Sequence, residues 1–468
     1  MLEQEGNVAM GDQQSNVGAD LSEHMDRQRV LKPGSAGFED AIRLWNGAVA
    51  HRPAVVVQPK WTSEVQSIVR YVHDNDIAVS VCGGGHDWAG RALVPAGVVI
   101  DMSLMRFASV DVAAKVATFG GGATASDVAT AAGPHGLAPV TGQFGAVGMV
   151  GLTLAGGYGP LLGVAGLALD NVVELQIVLA DGRAVIASAD REPDLFWAAR
   201  GGGGNFGVVT QMRVRLRRVP SVIAGVIGFP WHQAGDVLRG YATLIGSLPD
   251  ELTVSISAAT GPDGNLALFL WPTWSGPAEA SSPWLTRLSE LGRPILTHIA
   301  PMPYSAALRL LDPYIVSGRH YEMRTRNLST FTPEAIDALV HAGVARTSNF
   351  SGFSIHHFRG AATRVPVEQT AFGIREPHFL VEVLAAWNPA EDGAAQHRDW
   401  AEASYEALKA HSLDGGYPNL IGPEQQAQAD WSYGPNADRL RILKRRFDPS
   451  SVFAATPLPS PGGATIFW

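Results

Sequence analysis

The chain has 468 residues, more than the roughly 250–300 that a single hydrophobic core usually reaches, so at least two domains are expected. Hydrophobic residues make up 46% and charged residues 17%, against about 25% charged in an average globular protein, which excludes a disordered chain and implies extensive burial. A net charge of −9 leaves no basic footprint for nucleic acid, and a single cysteine, Cys82, excludes an internal disulfide and a cysteine-cluster metal site, in keeping with a reducing, cytoplasmic location.

The first 27 residues are acidic and polar, without the apolar core of a secretion signal, and residues 1–34 are read as a loose tail. The runs "PAVVVQP", "IAVSVCGG", "GVVIDMS" and "KVATFGGG" follow as strands. "TSEVQSIVRYVHDND" is a helix with Val65, Ile68, Val69 and Val72 on one face and Thr62 or Ser63 as its cap. "TASDVATAAGPHG" is a second helix, stopped by Gly133 and Gly136, and "VVELQIVLADGRAVIAS" and "FGVVTQMRVRLRRV" are further strands. Val128 to Leu169 contains no Asp, Glu, Lys or Arg, yet its many glycines and Pro160 exclude a membrane helix, because interior glycine costs about 1 kcal/mol and proline about 3. That segment must be buried in protein or against a ligand. From Val219 the texture changes to tryptophans, longer helices and strands such as "LTVSISAAT" and "NLALFLWP". The pattern divides into an α+β domain over 35–218, a second domain over 219–430 and a C-terminal segment, 431–468, whose helix breaks at Asp448-Pro449.

Glycine clusters at 83–85, 120–122, 156–157 and 201–204 all lie at strand ends in the first domain. Four such clusters beside an uncharged stretch suit backbone N–H groups that cradle a large anionic ligand such as a dinucleotide pyrophosphate. The nicotinamide fingerprint G-x-G-x-x-G is absent in its proper setting, so a flavin dinucleotide on another fold is favoured. His86, directly after the first cluster, then sits where an imidazole nitrogen can bond a flavin ring.

Together "VCGGGHDWAG", "VGMVGLTLAGGYG", "LALDNVVELQIVLADG", "DLFWAARGGGGNFGVVT" and "FDPSSVF" resemble the vanillyl-alcohol-oxidase (PCMH) type of FAD-linked oxidoreductase, in the berberine-bridge-enzyme-like branch, with bacterial oxidases similar to 6-hydroxynicotine oxidase nearest. The resemblance implies a two-domain α+β fold: two α/β subdomains holding FAD, and a substrate domain with an antiparallel sheet over the flavin. It further implies that His86 carries the flavin 8α-methyl group and that Cys82, Gly83, Gly84, Gly85 and Asp87 form the pyrophosphate loop. Gly142, Val147, Gly148, Gly151, Leu152, Gly156, Gly157, Tyr158, Gly159, Val209 and Asn436 are the other cofactor contacts it implies. Phe144 stands where many relatives carry a second, cysteinyl tether, so a single covalent link is expected; Cys82 stands where they usually carry arginine.

Such enzymes pass a hydride from a substrate C–H to the flavin while a base takes a proton. Relatives place carboxylates on the strand matching "FSGFSIHHFRG"; this chain has His356 and His357 on opposite faces of it, and His357, beside Arg359, is narrowly favoured over His356 as the base, with Tyr417 and Tyr433 next in line. Arg324 and Arg326 are read as exposed arginines first and as contacts for an acidic substrate group second, and Met149 is expected to limit oxygen access. The expected partners are a small-molecule substrate and O2, with no nucleic acid, no membrane, and a monomer or homodimer. The leading function is an FAD oxidase of an alcohol or amine; the alternatives are a dehydrogenase using another acceptor and a flavin-containing cyclase or isomerase.

Overall fold

The structure, a computed structural model, describes residues 17–391 and 393–460. The loose tail expected at the N-terminus falls partly on residues 1–16, outside the described residues, whereas residues 17–24 are helical and bury Leu21 completely against the first sheet. That sheet contains β1 (Val30–Leu31), β2 (Val55–Val57), β3 (Val79–Cys82) and β4 (Val98–Asp101), ordered β1-β2-β4-β3. Strands β2 and β3 each pair parallel with β4, and parallel strands covered on both faces read as unbroken apolar runs rather than alternating ones. The helix Thr62–Asp74 crosses between β2 and β3 and buries Val65, Ile68, Val69 and Val72 as its period requires. Its N-cap is Trp61, without a side-chain bond, because the Thr62 hydroxyl is drawn away to donate to Gln176 Oε1 at 2.9 Å.

The second sheet is antiparallel and contains β5 (Ala108–Asp111), β6 (Val116–Gly120), β7 (Leu137–Pro139), β8 (Val172–Val178), β9 (Ala184–Ser188) and β10 (Val208–Arg218). Its order is β5-β6-β10-β8-β9, with β7 also on β10. The helix Ala125–Ala132 starts on a capping box formed by Thr124 and Asp127. The uncharged run becomes β7, the short helix Met149–Leu154 and glycine turns, packed with Phe119, Trp197 and Tyr304 in one core. No helix among the described residues is long and apolar enough to cross a membrane.

The third sheet has β11 (Val222–Pro230), β12 (Leu252–Thr260), β13 (Leu266–Trp274), β14 (Leu296–Met302), β15 (His320–Leu328), β16 (Gly352–Phe358), β17 (His378–Trp387) and β18 (Ser412–Leu413), ordered β14-β11-β13-β12-β16-β17-β15-β18. Strand alternation sorts its residues: Val254, Ile256, Leu268, Leu270, Ile355, Val381 and Val383 pack against the helices Ala234–Leu244, Pro333–Val344 and Ala394–Ala407. Ser255, Ser257, Trp271, Ser354, His356, Glu382 and Leu384 line a cavity on the opposite face, toward the glycine-rich half. A buried ion pair, Arg375 Nη2 to Asp170 Oδ1 at 2.7 Å, joins the two halves. After the helix Ala437–Phe447 the chain turns on Asp448, whose carboxylate accepts from Lys444 Nζ and from the amides of Val452 and Phe453, and Phe453 then bridges to Val79 of β3.

Candidate active site

A cavity of about 610 Å³ runs between the glycine loops and the third sheet. On its first wall the backbones of Gly84 and Gly148 pass so closely that a Cβ on Gly84 would lie 2.4 Å from the Gly148 amide nitrogen, and Gly85 takes a left-handed φ of 66°. Among the described residues, the amides of Gly84 and His86 donate to no backbone or side-chain acceptor, which leaves donors for an anionic ligand. His86 lines the cavity and stacks on Trp45 with centroids 5.5 Å apart; burial holds its pKa down to about 4, so at neutral pH it presents an uncharged imidazole lone pair. Side-chain-free loops, open amides, a long cavity and a neutral histidine at its wall fit FAD.

Where the third sheet closes the cavity, Tyr158 comes from the glycine segment and donates its hydroxyl proton to Glu382 of β17. The Glu382 Oε1 lies 3.4 Å from His356 Nε2, and the tyrosine and histidine rings sit 4.7 Å apart. On its far side His356 Nδ1 meets Ser255 Oγ at 3.3 Å, and Ser255 Oγ accepts from Gln143 Nε2 at 3.0 Å. Burial first, and then the negative charge of Glu382, pushes the Tyr158 pKa well above its ordinary value, so the phenol stays protonated at the cavity wall. Tyr417 packs edge-on to Tyr158 at 5.0 Å and its oxygen accepts from the Gly157 amide at 2.5 Å.

The residues expected from the sequence divide between those on the cavity wall and those behind it. Gly83, Gly84, Gly85, His86, Asp87, Gly142, Val147, Gly148, Gly151, Leu152, Gly157, Tyr158, Val209, His356 and Tyr417 line the cavity. Gly156 and Gly159 stand behind it and allow close approach, of Tyr417 and of the Thr141 carbonyl respectively. Cys82 faces away, into a second cleft, and burial pushes its thiol up to about 12. His357 lies on the helix-covered face, stacked on Phe379 at 4.3 Å with Tyr241 Oη 3.4 Å from its Nδ1. Burial more than Arg359 takes its pKa down to about 3, too weak a base for neutral pH where it stands. Tyr433 is buried, donating to the Pro457 carbonyl, and Asn436 ties down the carbonyls of Val367 and Thr370. Arg324 and Arg326 also face the helices, where they pair with Glu322, Glu402 and Glu406. Met149 is fully buried in the core, and Val147 stands on the cavity wall.

Residues 53–188 match the FAD binding domain family. Over 92% of this chain and 86% of its own length, the FAD-linked oxidoreductase aurO of Gibberella zeae is 30% identical. The (R)-6-hydroxynicotine oxidase of Paenarthrobacter nicotinovorans is 30% identical over 91% of this chain and 94% of its own. The crystal structure of 6-hydroxy-D-nicotine oxidase from Arthrobacter nicotinovorans superposes with a TM-score of 0.83 at 26% identity, covering 92% of this chain and 98% of that one. Fold and site thus define an FAD-dependent oxidoreductase. The chain belongs to the FAD-linked oxidoreductases, and it shares its fold with Physcomitrella patens BBE-like 1, at a TM-score of 0.83 and 22% identity over 91% of this chain and 95% of that one.

The sequence reading did not single out Glu382. Its one signal is a lone carboxylate inside the otherwise uncharged strand "HFLVEVLAAW", where a buried charge calls for partners. Trp45, Gln143, Ser255 and Trp271 also lie on the cavity wall without any local motif to mark them.

Proposed function

We propose that this protein oxidises an alcohol or amine C–H of a small substrate, with FAD held through a single bond to His86 and returned to the oxidised state by O2 with release of H2O2. FAD supplies the acceptor for the substrate hydride. Tyr158 and Glu382 receive the proton: a substrate O–H or N–H donates to the Tyr158 oxygen while the Tyr158 proton passes to Glu382. The substrate thereby loses two electrons and two hydrogens and leaves as a carbonyl compound or imine. His356 and Ser255 fix the Glu382 carboxylate and the tyrosine ring in that relation. The observation that carries this reading is the meeting of Tyr158, from the glycine segment, with Glu382 in the cavity that His86 also lines. Placing the base on this pair moves it from His357, which the sheet turns away.

For the acceptor, the support is that Val147, a small side chain, stands on the cavity wall where dioxygen would approach, while Met149 lies in the core away from it. A reducing, cytoplasmic setting suits Cys82, buried and unpaired. The test is anaerobic reduction of the flavin-loaded protein by a panel of alcohols and amines, followed by admission of air and measurement of peroxide. One panel member should bleach the flavin and yield peroxide on reoxidation. Reduction without peroxide identifies a dehydrogenase instead.

A further inference from the structure

We propose that Trp45, braced by Tyr321 of β15, is the positioning residue that orients the His86 imidazole for its bond to the flavin, so that attachment proceeds only once the third sheet has docked on the glycine loops. This inference rests on the proposed link through His86. The attachment joins an imidazole nitrogen to the flavin 8α carbon: one N–H and one C–H bond break, one C–N bond forms, and the two electrons and two protons set free reduce the flavin ring, from which O2 removes them as H2O2. A nitrogen lone pair lies in the plane of its ring, so the plane of His86 decides whether that lone pair meets the carbon. No charge or hydrogen bond acts on the His86 imidazole, whose pKa answers to burial alone, so packing sets the plane. The Trp45 indole supplies that packing: the two rings form an offset stack, with centroids 5.5 Å and planes 15° apart.

Trp45 is itself held from the second half of the chain. The Tyr321 ring stacks on the indole at 3.9 Å with planes 15° apart, and Tyr321 Oη donates to the Val316 carbonyl at 2.5 Å, which fixes the phenol ring in turn. The two backbones are joined alongside: the Gly318 amide donates to the Trp45 carbonyl at 2.9 Å, and the Gly47 amide donates to the Arg319 carbonyl at 2.8 Å. A Cβ on Gly47 would lie 2.3 Å from the Gly318 carbonyl oxygen, so this crossing admits only glycine. Asn46, 3% exposed, spans the joint. Its Oδ1 accepts from the Tyr321 amide at 2.9 Å, and its Nδ2 donates to the carbonyls of Tyr321 at 3.0 Å and Trp88 at 2.7 Å. The Trp45 amide donates to the Gly85 carbonyl at 2.8 Å. Both flanks of His86 are thus fastened to residues 45 and 46, and these to residue 321. Without the third sheet in place the indole loses its brace, and the imidazole regains the freedom that a productive approach requires it to give up.

The experiment uses the full chain, prepared free of flavin from riboflavin-limited cells and mixed with FAD in air. Samples are acid-precipitated over time and the flavin in each pellet is measured, while quenching of FAD fluorescence at the outset gives the affinity before attachment. We expect Trp45→Leu and Tyr321→Leu to slow attachment about tenfold or more while changing FAD affinity by less than about threefold, and Trp45→Phe, which retains a stacked ring, to restore the rate to within about threefold of the unmodified protein. Attachment at the unmodified rate in Trp45→Leu overturns the role. So does a loss of FAD affinity that matches the loss of rate, because that reports a disturbed cavity rather than a turned ring. Where Trp45→Leu does not fold, an unmodified rate in Tyr321→Leu overturns it equally. An unmodified protein that leaves all its flavin in the supernatant sinks the link through His86 and the positioning role with it; one that retains its flavin while both leucine variants attach theirs at the same rate sinks the positioning role alone.

Discussion

Replacing Glu382 with Gln leaves the Tyr158 hydroxyl with an amide oxygen in place of a carboxylate, so the phenol can no longer pass on the proton it receives. The anaerobic rate of flavin reduction should fall by about 10²–10⁴, whereas His357→Phe should leave it within a few-fold. A near-normal rate in Glu382→Gln would remove this pair from the proton path. The same histidine has a different measurable role. Folded His357 and His378 titrate near 3 and near 4, while in the unfolded chain both titrate near 6.5, so below about pH 6.5 the unfolded state binds more protons and stability falls as pH falls. Each contributes a slope of about 1.4 kcal/mol per pH unit until its folded pKa is reached. His357→Phe should therefore cost about 1 kcal/mol at pH 7, for the lost contact with Tyr241, yet show a shallower acid branch in thermal melts at pH 7, 6 and 5. An unchanged acid branch would mean that His357 is protonated in the fold. At this scale the sequence is legible where chemistry is local: a glycine loop followed by His86 announces itself. Glu382 does not, because its partners Tyr158 and His356 lie 224 and 26 positions away and only the fold brings them together.

Among the elements, the return segment bears most on the cofactor wall. Asp448 is buried and holds Lys444, Val452 and Phe453 at once, and Phe453 lies on β3, the strand that leads into the loop of Gly83–His86. Asp448→Ala strips the acceptor from a partly buried ammonium and two amides, for which a loss of about 3–5 kcal/mol is expected in urea unfolding. Weaker retention of FAD should accompany it. A stability loss below about 1 kcal/mol would show that Lys444 is satisfied by its other acceptors, the carbonyls of Asn205 and Phe453. Strands and helices here were readable from period and turn residues, since the apolar runs of β2, β3 and β4 and the face of helix Thr62–Asp74 are set by burial alone. The cap of that helix was not, because Thr62 answers to Gln176 on another sheet. Nor was the choice between His356 and His357. Alternation separates them, but which face meets the cavity depends on where β16 sits between β12 and β17, and no local pattern encodes that order.

For the whole molecule, the glycine clusters and the uncharged run make sense only as one wall of a ligand cavity whose other wall is a sheet formed from the second half of the chain. The division into a glycine-rich half and a tryptophan-bearing half was visible as a change of texture at Val219, because cofactor-cradling backbone and substrate-facing sheet demand different residues. The crossings that close the cavity, Trp45 against Tyr321 and Tyr158 against Glu382, were not visible, being contacts between segments more than 200 residues apart. The central claim is that this cavity holds FAD fixed by one bond to a neutral His86. The direct measurement is acid precipitation of the purified protein followed by spectra of pellet and supernatant. The unmodified protein should carry its yellow colour into the pellet, with one flavin-bearing peptide at His86 after digestion, and His86→Ala should release all of its flavin. A yellow supernatant from the unmodified protein, or a flavin peptide linked at Cys82, would contradict it.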